Sequence, residues 1–207
     1  MPVSGKLMPI TRVQQGAIGQ FLAAILMMMG SKGKLEVAVP MSDDDRRDQE
    51  VHTRGIFGKS LALQIKTSMQ LHLRPHLVTP LLYVHFSVQA ERLVSHPLFW
   101  YLFAYLDRKT MTFADPIFLV DSATVHAHAV PRLRNGVWHF GFQASMGPKG
   151  RDMWVPYRVH PADLGNQVLQ ILRGHAQLTA LDLASMRGIQ DPDVLWVGHR
   201  AGRTAAH

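Results

Sequence analysis

From residue 11 to residue 29 apolar side chains return at three- and four-residue steps, through Val13, Ala17, Phe21, Ala24, Ile25 and Met28, which is the spacing of a helix buried along one face. Gly30 supplies a natural stop. Gln20 lies three residues after Ala17 and four before Ala24, so an amide turns inward with them. The period then shortens to two. Strands are predicted over 35–39, ended by Pro40, over 48–54 and over 60–68, with a polar loop at 41–47 and a glycine-bounded connection at 55–58 suited to a hairpin. Further strands are expected at 81–87, 116–121, 123–128 and 137–144. The run 97–106 (PLFWYLFAYL) is apolar and aromatic on nearly every side and reads as a helix packed against the sheet. Helical spacing returns at 164–172, another helix is expected over 176–186, and the tail HRAGRTAAH has no apolar anchor and is expected to be mobile.

This order of elements predicts an α/β fold with a mixed central β-sheet flanked by helices. A chain of 207 residues suits one domain rather than two cores. The expected division is a tail at 1–10, the domain at 11–173, and a helical extension with its tail at 174–207. The formal charge of +7 makes a polyanionic partner electrostatically reasonable. With no cysteine, disulfides and thiolate metal sites are excluded, and a cytoplasmic location is the default expectation. The apolar run 21–29 (FLAAILMMM) falls short of the ~20 residues that cross a bilayer, and no small-residue cleavage pattern follows it, so neither a membrane span nor export is expected.

The strand SLALQIKTS raises the first chemical question. Alternation sends Leu61, Leu63 and Ile65 to one face and Ser60, Ala62, Gln64 and Lys66 to the other, so an amide and an ammonium point together. On the preceding strand Asp48, Glu50 and His52 share a face, with Asp48 and Glu50 separated by roughly 6.6 Å along the strand. If the two strands pair through the 55–58 turn, Asp48, Glu50, Gln64 and Lys66 converge beside Gln20 of the first helix. A hard divalent cation needs oxygen ligands, and Asp48, the amide oxygen of Gln64 and the main-chain carbonyl of Ile65 can supply them. A lysine beside such an ion can orient a water or steady a pentavalent phosphate, which is the chemistry of phosphodiester hydrolysis.

Helix, aspartate, hairpin and Gln64-Ile65-Lys66, in that order, resemble the PD-(D/E)XK (restriction-endonuclease-like) nuclease superfamily over roughly residues 13–121. The run 45–50 (DRRDQE) resembles its aspartate motif, and Gln64-Ile65-Lys66 the glutamine form of its second motif. The resemblance implies a core of helix, mixed sheet and crossover helix, with Mg²⁺ or Mn²⁺ as cofactor and nucleic acid, DNA foremost, as partner. Asp48 would be the principal metal ligand, Gln64 and the Ile65 carbonyl further ligands with Glu50 or Asp45 assisting, Lys66 the catalytic lysine, and Gln20 the counterpart of a helix glutamate. Gln20 and Gln64 are neutral where many members carry carboxylates. Beside a metal-dependent endo- or exonuclease stands a second reading, a non-cleaving subunit of the same fold that binds nucleic acid or assembles with protein.

Other features carry less. His126 and His128 share a face of the strand expected at 123–128 and could offer two zinc ligands without a third. The segment 147–158 (GPKGRDMWVPYR) interleaves Lys149, Arg151 and Arg158 with Trp154 and Tyr157, a pattern that suits a nucleic-acid backbone or splayed bases, and equally a loop anchored by its aromatics. No nucleophile elbow and no Gly-rich phosphate loop is present, which leaves covalent hydrolysis and nucleotide-triphosphate hydrolysis without support. A protein-interaction module, with the aromatic residues 100–105 as its interface, is the third reading, and a homodimer is compatible with any of them.

Overall fold

The computed structural model describes residues 10–40, 47–56, 59–73 and 79–174. The expectations for 1–9, the loop 41–46 with Asp45, residues 57–58 of the 55–58 turn, the helix at 176–186 and the tail lie outside the described residues.

The first helix, α1 (Arg12–Gly30), opens on a capping box in which the Thr11 hydroxyl accepts from the Gln14 N–H at 3.2 Å and the Gln14 amide oxygen accepts from the Thr11 N–H at 2.9 Å. Strands β1 (Leu35–Ala38), β2 (Gln49–Thr53) and β3 (Ser60–Ser68) follow as an antiparallel meander, with Val51 opposite Leu61 and Gln49 opposite Leu63. The chain continues through β4 (Leu71–His72) and β5 (Leu81–Gln89) to β6 (Phe99–Asp107), which lies parallel to β3 with Ile65 beside Leu102. Next come β7 (Thr112–Phe113), β8 (Ile117–Asp121), α2 (Ser122–His128), β9 (Arg132–Arg134), β10 (Val137–Ser145), β11 (Arg158–Val159) and α3 (Leu164–Gly174). A mixed sheet in the order β1-β2-β3-β6-β8-β11, with β7 on β6, forms the centre, and an antiparallel sheet β4-β5-β10-β9 forms a second layer.

The central sheet is buried on both faces. Leu61, Leu63 and Ile65 look toward α1 and α3 together with Leu102 and Leu119, while Tyr101, Phe103 and Phe118 look toward Phe140 and Phe142 of the second sheet. That double burial explains one departure from expectation. Residues 99–107 form the strand β6, not a helix, because a strand covered on both sides needs no polar alternate positions; Tyr101, Leu102, Phe103 and Ala104 are buried in succession. The connection from β3 to its parallel partner therefore runs through β4 and β5, where the resemblance implies a crossover helix. Residues 122–128 form a helix, not a strand, because Asp121 caps it by accepting from the Thr124 N–H at 2.9 Å.

The buried face of α1 is also not the expected one. Val13, Phe21, Ile25 and Met28 are exposed, Phe21 at 68%, and the face against the sheet is Gly19, Ala23 and Met27. Small side chains decide this: a Cβ on Gly19 would stand 2.7 Å from the Thr67 methyl, so the helix approaches β3 more closely than a bulky face would permit. At the helix end a Cβ on Gly165 would meet the Met27 carbonyl oxygen at 2.3 Å, which makes the crossing of α1 and α3 equally close.

Candidate functional site

Pairing of β2 with β3 stops one residue after Asp48, whose own N–H donates to the Leu63 carbonyl at 3.1 Å. Backbone groups alternate along a strand, so Leu63 and Ile65 present theirs to the same edge, and past the end of β2 the Ile65 N–H has no strand to bond. Asp48 fills that place: its Oδ2 accepts from the Ile65 N–H at 2.6 Å. Its Oδ1 accepts from the Gln20 Nε2 of α1 at 3.0 Å. One carboxylate thus ties the helix to the strand 17 residues downstream of it.

Two other glutamines hold the helix where Gln20 can do this. Gln15 Nε2 donates to the Thr67 carbonyl at 2.7 Å, and the fully buried Gln49 donates through Nε2 to the Gln20 carbonyl at 2.6 Å. The Gln49 Oε1 is buried without a hydrogen bond.

Of the residues singled out by the sequence, then, the structure brings together Gln20, Asp48 and the Ile65 backbone. Gln64 points to the opposite face of the sheet from Ile65, only 6% exposed. Its amide makes no hydrogen bond among the described residues and lines a cavity of about 350 Å³ shared with Arg47, Arg92, His96, Phe99 and Tyr101. Lys66, half-buried, lines a different cavity of about 570 Å³ with Arg12, Gln15, His85 and Arg108. Glu50 does not join Asp48, since its carboxylate is taken by the Arg47 guanidinium at 2.7 Å. His52 pairs with Glu36 of β1 at 3.1 Å, not with Glu50.

The helix at 122–128 separates His126 from His128, because two residues of helix turn through about 200°. The shared face proposed for zinc is gone, and no group of three or more His, Asp or Glu side chains suited to a metal occurs among the described residues. His126 instead bonds the Tyr101 hydroxyl through Nε2 at 2.9 Å and the Ser95 hydroxyl through Nδ1 at 2.8 Å. Burial pushes its pKa down to about 4 against a smaller opposing effect of Asp121, so the ring is neutral at physiological pH.

The segment 147–158 divides. Trp154 is 3% exposed and packs on Phe142 at a ring separation of 4.7 Å, so it has no face for a base, and the nucleic-acid role expected of it is corrected to an anchoring one. Arg158 likewise turns inward, donating from Nη2 to the Ser145 carbonyl at 2.7 Å. Lys149 and Arg151 remain exposed.

The sequence reading missed a basic surface assembled from distant segments. Among the described residues the cavity beside Lys66 has no carboxylate in its lining, and it shares Tyr83 and His85 with a third cavity of about 420 Å³ lined by Arg132, Arg134 and His139, again without an acid among them. The alternation Arg132-Leu133-Arg134 was the only local signal, since Arg12, Lys66 and Arg108 meet only through the fold.

For a hard cation this edge of β3 offers the Asp48 carboxylate, its two oxygens already accepting from the Gln20 Nε2 and the Ile65 N–H. Oxygen donors of this kind fit Mg²⁺ or Mn²⁺, with a single negative charge and hence weak affinity.

No family model matches the chain, and no curated protein matches it. Among solved structures it is similar to that of a bacterial homing endonuclease, at 14% identity over 82% of this chain and 98% of that one, with a TM-score of 0.47.

Proposed function

We propose that the chain binds nucleic acid, DNA foremost, and hydrolyses its phosphodiester bonds with Mg²⁺ or Mn²⁺ at Asp48, on a restriction-endonuclease-like core. The observation that carries this reading is the Asp48 carboxylate held between Gln20 of α1 and the Ile65 N–H of β3, which unites helix, aspartate and second-motif strand at one edge. Asp48 and the Ile65 carbonyl would hold the cation, which would supply Lewis-acid polarisation of a phosphoryl oxygen. Gln20 orients Asp48, fixing the carboxylate plane by its hydrogen bond. Lys66, on the next outward position of β3, places an ammonium toward the basic cavity in which Arg12 and Arg108 meet the phosphate backbone.

One observation favours a second reading. Asp48 supplies the one carboxylate of the site among the described residues, and both its oxygens already accept N–H donors, so a protein of this fold that holds nucleic acid without cutting it is the alternative. The two readings separate in one experiment. Fluorescent single- and double-stranded DNA and RNA are incubated with the full chain in Mg²⁺, Mn²⁺ or EDTA, and anisotropy and product formation are followed together. Cleavage dependent on metal and lost in Asp48→Asn and Lys66→Gln supports hydrolysis. Salt-sensitive binding that ignores EDTA, with no product, assigns the chain to the second reading, and absence of binding at low salt refutes both.

A further inference from the structure

The cavity that Gln64 lines is the most specific feature the candidate centre leaves unexplained. The Gln64 side chain is 6% exposed and hydrogen-bonds no described residue, so its amide is left to whatever occupies the cavity. The amide can donate and accept at once, which matches the adjacent donor and acceptor along a nucleobase edge. Phe99 lines the same space and offers an aromatic ring, the surface on which a base stacks. Arg47 and Arg92 stand in its lining, and among the described residues no carboxylate does. A volume of about 350 Å³ falls at the lower end of small-molecule sites, on the scale of one nucleotide.

We propose that this cavity receives a single nucleotide unit, its base edge against the Gln64 amide, its ring along Phe99 and its phosphate at Arg92. Arg47 is held by Glu50 and completes the charged rim, while Tyr101, its hydroxyl engaged by His126, forms a rigid wall. The proposal rests on the nucleic-acid reading above and gives it a specificity element: in a bound strand, one nucleotide leaves the stack and enters the cavity. Gln64 then serves recognition rather than the cation, and Asp48 with the Ile65 carbonyl is left to hold the metal.

Mononucleotides titrated calorimetrically into the full chain in EDTA test the cavity without a nucleic-acid strand or a metal. The expected result is binding of a nucleoside monophosphate in the micromolar to millimolar range, weakened roughly tenfold or more by Gln64→Leu, the size of one good base contact. Ala62→Phe, which fills the cavity from the neighbouring strand position, should abolish it. Thermal melts run in parallel should find Gln64→Leu no less stable than wild type, since the amide it removes has no partner to lose. Oligonucleotides carrying 2-aminopurine supply the second arm, in which unstacking raises fluorescence in wild type and not in Ala62→Phe.

Mononucleotide binding without oligonucleotide binding keeps the cavity and discards the nucleic-acid reading. Oligonucleotide binding with neither mononucleotide binding nor a 2-aminopurine signal discards the cavity and keeps that reading. Binding in Gln64→Leu and Ala62→Phe equal to wild type overturns the proposal outright.

Discussion

Replacing Asp48 with alanine removes the acceptor of two hydrogen bonds, one from α1 and one from β3. The Ile65 N–H belongs to a residue 7% exposed and donates at 2.6 Å, so without Asp48 it is left in the sheet with neither strand nor carboxylate to bond. Hydrogen bonds to a charged group contribute about 1.5–3 kcal/mol each, and the half-buried Gln20 recovers part of its loss by turning to water. The expected destabilisation is about 2–4 kcal/mol, or a melting temperature lower by about 5–15 °C for a domain of this size. The Asp48→Asn substitution keeps one acceptor and should cost about half as much, which makes it the cleaner variant for activity. Urea unfolding of wild type, Asp48→Ala, Gln20→Ala and the double variant measures the coupling directly, expected at about 1–2 kcal/mol. A destabilisation below about 0.5 kcal/mol for Asp48→Ala, or no coupling with Gln20, would refute the bridge between α1 and β3.

Three further outcomes test the packing and the electrostatics. Gly165→Ala should destabilise by about 2–3 kcal/mol in urea unfolding, because its Cβ would meet backbone atoms at 2.3 and 2.4 Å, whereas unchanged stability would deny the close helix crossing. Phe21→Ser, at an exposed position, should change stability by less than about 0.5 kcal/mol, and a loss typical of a core phenylalanine would return that face to the interior. His126 titrates at about 4 in the folded chain and near 6.5 unfolded, so the unfolded state binds the extra proton on acidification. Stability should accordingly fall as pH drops from 6.5 to 4, by about 1–2 kcal/mol after allowance for solvent screening, and melts of His126→Gln should lack that slope.

The meander of three strands was legible because each carries a period-two pattern, but that pattern implied Asp48, Glu50, Gln64 and Lys66 together, whereas the observed register leaves Asp48 at the edge of β3 with Gln20 and the Ile65 N–H. Gln20 was legible as an amide facing inward, yet for the wrong companions. Helical spacing marked the apolar stripe of Val13, Phe21 and Ile25, while the face that packs is made of glycine and alanine, whose weak hydrophobicity hides a strong steric preference. The strand at 99–107 was misread because full burial erases alternation, and periodicity alone does not separate a buried helix from a central strand. Trp154 was left open between a nucleic-acid contact and a core anchor, since an aromatic among basic residues looks the same in sequence whether it faces solvent or Phe142. The basic cavities and the space before Gln64 draw on β3, β5, β6, β9 and β10, and beyond the alternation at 132–134 no local pattern announces them.

Calorimetric titration of Mn²⁺ into wild type and Asp48→Asn, with cleavage assayed on the same samples, tests the central assignment most directly. A weak single-site heat in wild type, metal-dependent cleavage, and the loss of both in the variant while it remains folded are expected. Cleavage and ion binding that persist in Asp48→Asn would contradict that assignment.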